Sequence, residues 1–237
     1  MNNSMIVQPR VWMRILIAMV LWWFILMLAS AGTMTLQTMS PGRPWLSGLM
    51  MQSGILLLSL LAIALFGKGR FSQFGFARPS QRFFRPAAIF GLTLGVIAGV
   101  AQVVIRTDAN PAVDDLSFLQ IVLLIWIWAS ICEEVLYRGL IQSYLSPFSN
   151  RGITLFGARI SLPVAIAALL FALSHAMLLT LGMAPGAVIA IVIFALLLGA
   201  LAGYWREKTG SLLPAIIVHM SGNIAGACVG YLADALK

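Results

Sequence analysis

The sequence predicts an all-α fold, a polytopic bundle of about seven transmembrane helices. Of its 237 residues, 61% are hydrophobic and only 9% are charged, and the mean hydropathy is +0.98. A chain of this composition has too little polar surface to cover a water-soluble globule. The apolar runs reach about 20 residues, enough for a helix to cross a hydrocarbon core about 30 Å thick. They lack the alternation of a barrel strand, so we expect helices as the spanning elements.

The predicted spans cover residues 12–31, 45–66, 87–105, 117–143, 161–181, 186–204 and 211–233. The first span has an alternative interpretation as a cleaved signal peptide, because Arg10 and Arg14 lie close to its start and Ala29-Ser30-Ala31 lies at its end. Its apolar run is long for a signal peptide, so we expect it to be retained as a helix. Glycines at four-residue spacing in the third and seventh spans predict close packing between helices.

Lysine and arginine are distributed unequally between the two sides of the predicted bundle. One side carries Arg43, Arg106 and Lys237, and the other carries Arg10, Arg14, Lys68, Arg70, Arg78, Arg82, Arg85, Arg151, Arg159, Arg206 and Lys208. Because positively charged loops stay in the cytoplasm, we expect a cytoplasmic N-terminus and an external C-terminus. The net charge of +8 is therefore sorted by membrane side, which favours a lipid bilayer and not nucleic acid as the partner.

Ionisable side chains within the predicted spans are few and concentrated. A charge at the bilayer centre costs about 2.5 to 3.5 kcal/mol on insertion scales, so such residues are functional candidates by default. The fourth span carries three, the fifth one and the seventh one, and a polar amide joins them on the seventh: Glu133, Glu134, Arg138, His175, His219 and Asn223.

The spacing of these residues predicts which of them pair. Glu134 and Arg138 stand four residues apart on one helix face and are expected to form an ion pair. Glu133 lies about 100° around the helix from Glu134, so it needs another partner or a water. We expect that partner to be His175, near the middle of the fifth span. His219 and Asn223 are again four apart and present an imidazole and an amide on one face.

These groups fit the hydrolysis of a peptide bond within the membrane. In this hypothesis Glu133 activates a water, and His175 orients that water or shares its proton. His219 and Asn223 stabilise the oxyanion of the tetrahedral intermediate. Arg138 holds Glu134, which binds the substrate backbone or shapes the pocket.

Other interpretations of the same residues remain open. A non-enzymatic proton-coupled transporter or a bacteriocin immunity membrane protein also places Glu and His groups in a membrane cavity. A structural scaffold could use them as hydrogen-bonding links between helices. Zinc accepts both Glu and His ligands, but the chain lacks the pair of histidines four residues apart on one helix that many zinc peptidases carry. We therefore expect no metal or other cofactor.

Three motifs resemble those of a known family. EEVLYRG at residues 133–139, FALSH at residues 171–175 and HMSGN at residues 219–223 resemble the CPBP family, the CAAX protease and bacteriocin-processing membrane peptidases, also called Rce1-like or ABI proteins. The resemblance covers roughly residues 117–231. It implies N-terminal transmembrane helices over residues 1–116 and a catalytic transmembrane core over residues 117–233.

The resemblance also implies roles for the motif residues. Glu133 and His175 look like the water-activating pair, His219 and Asn223 like the oxyanion site, and Glu134 and Arg138 like substrate-positioning residues. The family has been described both as metallopeptidases and as glutamate peptidases, and we favour the second. Eukaryotic members act on prenylated C-termini, whereas bacterial members are linked to bacteriocin maturation, self-immunity and processing of membrane-anchored peptides. We expect a bacterial cytoplasmic (inner) membrane location and a peptide or membrane-protein substrate.

Overall fold

Seven long apolar helices form the fold, in a computed structural model that describes residues 11–40, 42–105, 113–155 and 157–236. Arg10, Arg106 and Lys237, which enter the charge count above, lie outside these ranges. The predicted all-α membrane bundle is confirmed, and the chain is an integral membrane protein. The helices are α1 (Val11–Met39), α2 (Pro44–Gly67), α3 (Phe84–Ile105), α4 (Phe118–Gln142), α5 (Leu162–Leu181), α6 (Pro185–Thr209) and α7 (Leu212–Ala235).

Helix α1 continues eight residues beyond the predicted end at residue 31. Its last turns contain threonines whose hydroxyls donate back to carbonyls four residues earlier, Thr33 to Ala29 at 2.9 Å and Thr35 to Ala31 at 3.0 Å. These bonds satisfy the polar side chains within the helix, so it can continue through a less apolar sequence. Trp22 Nε1 of α1 donates to Tyr137 OH of α4 at 3.2 Å, which packs α1 into the bundle.

The connections at the end of the bundle that we expect to be cytoplasmic contain short ordered elements. Two 3₁₀ helices, Phe71–Phe74 and Gln81–Phe83, lie between α2 and α3. Strands β1 (Gly152–Leu155) and β2 (Ala158–Ser161) form an antiparallel hairpin between α4 and α5. Gly157, at φ +78°, supplies the left-handed backbone that this tight turn requires.

Helix α4 lies at the centre of the bundle, in contact with α2, α5 and α7. It begins with a capping box in which Ser117 Oγ accepts from Gln120 N and Gln120 Oε1 accepts from Ser117 N. Its stretches Ile121–Ala129 and Val135–Gln142 are π-helical and flank a short α-helical segment, Ser130–Glu134. Such i→i+5 segments are frequent at functional sites. Here they adjoin the segment that carries Glu133 and Glu134.

Helices α3 and α7 pack backbone against backbone. A Cβ added at Gly95 would lie 2.3 Å from the carbonyl oxygen of Gly222, and one added at Gly91 would lie 2.4 Å from that of Val218. Only glycine permits this approach. The predicted packing role of these glycines is therefore confirmed, and it fixes the position of α7, which carries His219 and Asn223.

Replacing Gly95 with alanine is expected to lower the stability of the protein. The added methyl group would collide with the α7 backbone, and overpacking of this kind typically costs about 1–3 kcal/mol. The measurement is thermal unfolding of the purified protein in detergent. Gly230→Ala is the matched control, because in the described part of the chain no heavy atom outside its immediate neighbours lies within 4 Å of that Cβ position. Equal stability of the two variants would contradict the packing argument.

Candidate active site

Glu134 and Arg138 form a buried ion pair on α4. Arg138 Nη1 donates to Glu134 Oε1 at 2.8 Å, and both side chains are 0% exposed. The pairing predicted from their four-residue spacing is confirmed. The guanidinium also lies over the ring of Phe171, with Cζ 4.8 Å from the ring centroid. Full burial makes this pairing necessary, because an unpaired charge in a low-dielectric interior is strongly unfavourable.

His219 joins this ion pair from α7. Its Nδ1 lies 2.9 Å from Glu134 Oε1, the oxygen that also accepts from Arg138. An ionised carboxylate can only accept, so Nδ1 carries the proton in this contact. Nε2 lies 3.8 Å from Glu133 Oε2. Glu134 therefore orients the His219 imidazole, while its predicted role towards the substrate stays a prediction.

Glu133 is the more accessible of the two adjacent carboxylates, with 18% of its side chain exposed. Gln52 Nε2 of α2 donates to its Oε1 at 3.0 Å. His175 Nδ1 contacts the carbonyl oxygen of Phe171, one turn earlier in the same helix, at 2.9 Å. The predicted pairing with Glu133 is therefore not a direct hydrogen bond through this nitrogen, and a pairing through a water stays a prediction.

His175 stands where α5 changes from an α-helix to a 3₁₀ helix, Leu162–Ser174 followed by His175–Leu181. A carbonyl oxygen only accepts, so the contact with Phe171 places a proton on Nδ1. This leaves Nε2 as the ring nitrogen that can accept a proton from a ligand. His175 and Glu133 line the same two cavities.

Phe171 separates and orients the two imidazoles. Its ring centroid lies 4.9 Å from that of His175 and 5.3 Å from that of His219, both in edge-to-face geometry. It also packs edge to face on Tyr137 at 5.1 Å. The side chain is buried, and such contacts restrict ring orientation.

Asn223 contributes an amide one helical turn beyond His219. Its Nδ2 donates to Ser130 Oγ at 3.3 Å, and Ser130 Oγ in turn donates to the carbonyl oxygen of Trp126 at 2.8 Å. The contact sets the orientation of the amide. Because an amide nitrogen carries two hydrogens, Asn223 retains one for a ligand.

Three adjoining cavities border these residues. The first, of about 330 Å³, is lined by Glu133, His175, His219 and Asn223 together with Gln102. A second, more apolar cavity of about 270 Å³ lies beside it and also contacts Glu133 and His175. A third, of about 420 Å³, shares Gln102 and Asn223 with the first and extends along α7 towards its C-terminal end. The accessible carboxylate, both histidines and the amide therefore border one space.

The opposite end of the bundle is covered by the connection between α2 and α3. Arg206 Nη2 of α6 donates to the carbonyl oxygen of Gln73 at 3.2 Å. Leu212 N donates to the Gly75 oxygen at 2.9 Å, and Ser211 Oγ donates to the Ala77 oxygen at 2.5 Å. These bonds hold the connection against the ends of α6 and α7, away from the three cavities.

The side chains were tested for their fit to a catalytic zinc ion, whose usual protein ligands number three. Glu133, His175 and His219 offer suitable donor atoms. Among the described residues, however, no three His, Cys, Asp or Glu side chains converge as a metal-binding group. The arrangement does not fit the ion, and we derive no step through a metal. The absence of a cofactor stays a prediction.

Gln52 is the site residue that the sequence reasoning missed. That reasoning searched the spans for ionisable residues, because charges carry the largest insertion cost. A neutral amide costs less free energy to insert into the membrane than a charge does, so it is a weaker indication of a functional site. The available signal was the pair Gln52-Ser53 in the middle of an otherwise apolar span, since polar side chains inside the membrane are usually hydrogen-bonded to neighbouring helices.

Comparison with known proteins gives one match. Residues 115–225 match the family model described as type II CAAX prenyl endopeptidase Rce1-like. The resemblance predicted from the three motifs is therefore confirmed for this segment, and the family implies a membrane protease. No curated protein and no solved structure matches the chain.

Replacing Arg138 with methionine is expected to destabilise the protein by about 3–5 kcal/mol, because it leaves the Glu134 carboxylate buried and unpaired. Adding Glu134→Gln to this variant should recover much of the lost stability, since the amide oxygen can still accept from His219. The measurement is denaturant or thermal unfolding of both variants in detergent. If the double variant were no more stable than Arg138→Met, the buried pair would not be the cause.

Proposed function

We propose that this chain, whose residues 115–225 belong to the Rce1-like family, is an intramembrane endopeptidase that uses a glutamate-activated water. The observation that carries the proposal is the convergence of Glu133, His175, His219 and Asn223 from three helices on one cavity of about 330 Å³. Structural links between helices do not require an accessible carboxylate beside such a space. Hydrolysis of a peptide bond requires a base and donors for an oxyanion.

Glu133 acts as the general base in this mechanism. Its Oε2 takes a proton from the water, and the water oxygen attacks the carbonyl carbon of the scissile bond. His175, with its proton held on Nδ1 by the Phe171 carbonyl, accepts a hydrogen bond from the same water through Nε2 and so orients it. The proton taken up by Glu133 then passes to the departing amine as the C–N bond breaks.

His219 and Asn223 stabilise the negative charge on the carbonyl oxygen. Nδ1 of His219 is already occupied by Glu134, so donation to the oxyanion requires a second proton, on Nε2. The Glu134 carboxylate, 2.9 Å from Nδ1, places a negative charge beside the ring when both nitrogens carry hydrogen. Asn223 supplies the amide hydrogen that its bond to Ser130 leaves free. Arg138 holds Glu134 in place.

The substrate in this proposal is a peptide or protein embedded in or close to the membrane. The cavities adjoin apolar side chains of α4, α5 and α6, which suits an apolar chain segment better than a soluble peptide. Resemblance to bacterial CPBP members favours a bacterial cytoplasmic membrane as the location. The alternative, a proton-coupled transporter or immunity protein, uses the same groups without forming a cleaved product.

Replacing Glu133 with glutamine should reduce cleavage by roughly 10²- to 10⁴-fold, the usual contribution of a general base, while the protein remains folded in the membrane. Comparative peptidomics of membranes with wild-type and variant protein measures both the activity and the substrate. Glu207→Gln is the matched control, because Glu207 is exposed at the far end of α6.

Full activity of Glu133→Gln would refute the assignment of the base. A substrate flux that depends on Glu133 and His219 without any shortened peptide would favour the transporter.

Excess chelator should leave the activity of the purified protein unchanged, because Glu133, His175, His219 and Asn223 together supply every step. The measurement is the cleavage rate before and after dialysis against a zinc chelator, with the bound metal determined by mass spectrometry. Loss of cleavage on chelation and its recovery on adding zinc would show that a metal takes part and that the metal-free mechanism is wrong.

A further inference from the structure

Gln52 contacts Glu133 from a part of the chain that lies outside the family match. Its Nε2 donates to Glu133 Oε1 at 3.0 Å, whereas the match begins at residue 115. Glu133 Oε2, the other carboxylate oxygen, lies 3.8 Å from His219 Nε2. The bond from Gln52 therefore occupies one carboxylate oxygen and leaves the other directed at the His219 side of the cavity.

The position of Gln52 is fixed by packing on both sides of α2. On the α4 side, Trp128 Nε1 donates to Ser53 Oγ at 3.3 Å. On the α1 side, a Cβ added at Gly54 would lie 3.3 Å from Ala29 Cβ. Helix α2 packs against both neighbouring helices at many positions besides these, so Gln52 reaches Glu133 from a rigid support that does not depend on the Ser53 bond alone.

Among the described residues, the Gln52 amide makes one hydrogen bond, the one to Glu133. Its Oε1 is buried and has no hydrogen-bond partner among the described residues. An unsatisfied buried polar atom costs about 1–3 kcal/mol. A purely structural position in an apolar helix is better filled by an apolar side chain of similar length, so the amide needs another reason.

We infer that Gln52 is a positioning residue for Glu133, and that α2 thereby completes an active site otherwise built from α4, α5 and α7. The inference rests on the proposed function, since it assigns Gln52 to the proposed base. The amide N–H holds Oε1 of Glu133 through a hydrogen bond to the carboxylate. Oε2 then stays free to take the proton from water.

The test compares Gln52→Met, a variant of similar length without a donor, with Ser53→Ala. The control removes the neighbouring hydrogen bond between α2 and α4 but leaves the bond to Glu133. The 237-residue chain in detergent is assayed with a quenched fluorescent peptide of about 20 apolar residues, the length of a membrane span. Gln52→Met should lower kcat by roughly 10- to 100-fold with KM nearly unchanged, because the base is misplaced while substrate contacts persist. Ser53→Ala should leave kcat within about twofold of wild type.

A second readout does not depend on cleavage. Dicyclohexylcarbodiimide reacts with carboxyl groups in apolar surroundings, and the adduct on Glu133 is measured by mass spectrometry. Gln52→Met should label several-fold faster than wild type, because Oε1 of Glu133 is no longer occupied by the Gln52 amide, whereas Ser53→Ala should label at the wild-type rate.

Unchanged kcat and labelling in Gln52→Met would overturn the inference, as would an equal effect of Ser53→Ala. If the peptide is not cleaved by wild-type protein but labelling of Glu133 still responds to Gln52 alone, the positioning contact stands and the peptidase proposal fails.

Discussion

The hydrogen-bonded chain from Arg138 through Glu134 to His219 is the interaction on which the rest of the site depends. Both donors share one carboxylate oxygen, Glu134 Oε1. In an apolar interior none of these three groups is stable without the others, because each unpaired polar atom would keep its full desolvation cost. This series of hydrogen bonds also links α4 to α7. Pairing of the buried charges therefore brings the catalytic candidates of the two helices together.

Close packing of α3 on α7 also positions the catalytic candidates of α7, through van der Waals contact and not through hydrogen bonds. Without a hydrophobic driving force between helices in lipid, association depends on van der Waals contact, and the glycines permit that contact at backbone distance. Gly95 meets Gly222 directly, between His219 and Asn223 in the chain. The depth of the imidazole and amide in the bundle is therefore set by a steric contact on the face of α7 that packs against α3.

Two adjacent glutamates on α4, Glu133 and Glu134, have different environments. Glu134 is fully buried and bonded to Arg138 and His219, whereas Glu133 is partly exposed to the cavities and bonded to Gln52. The buried carboxylate orients its partners, whereas the carboxylate that borders the cavities can exchange a proton with a water there. This division also explains why helices before the Rce1-like segment matter, since α2 holds the accessible carboxylate and α1 supports α2.

The sequence by itself determined the features that depend on composition and on spacing within one helix. These are the seven spans, the Glu134–Arg138 pair and the glycine stripes, because apolar length and helical periodicity are local properties. The tertiary structure alone decided which groups meet across helices. Gln52 and Glu133 are 81 positions apart, and His219 and Glu134 are 85 apart. Their contact depends on the relative depth and rotation of whole helices, which side-chain packing sets and no single helix encodes.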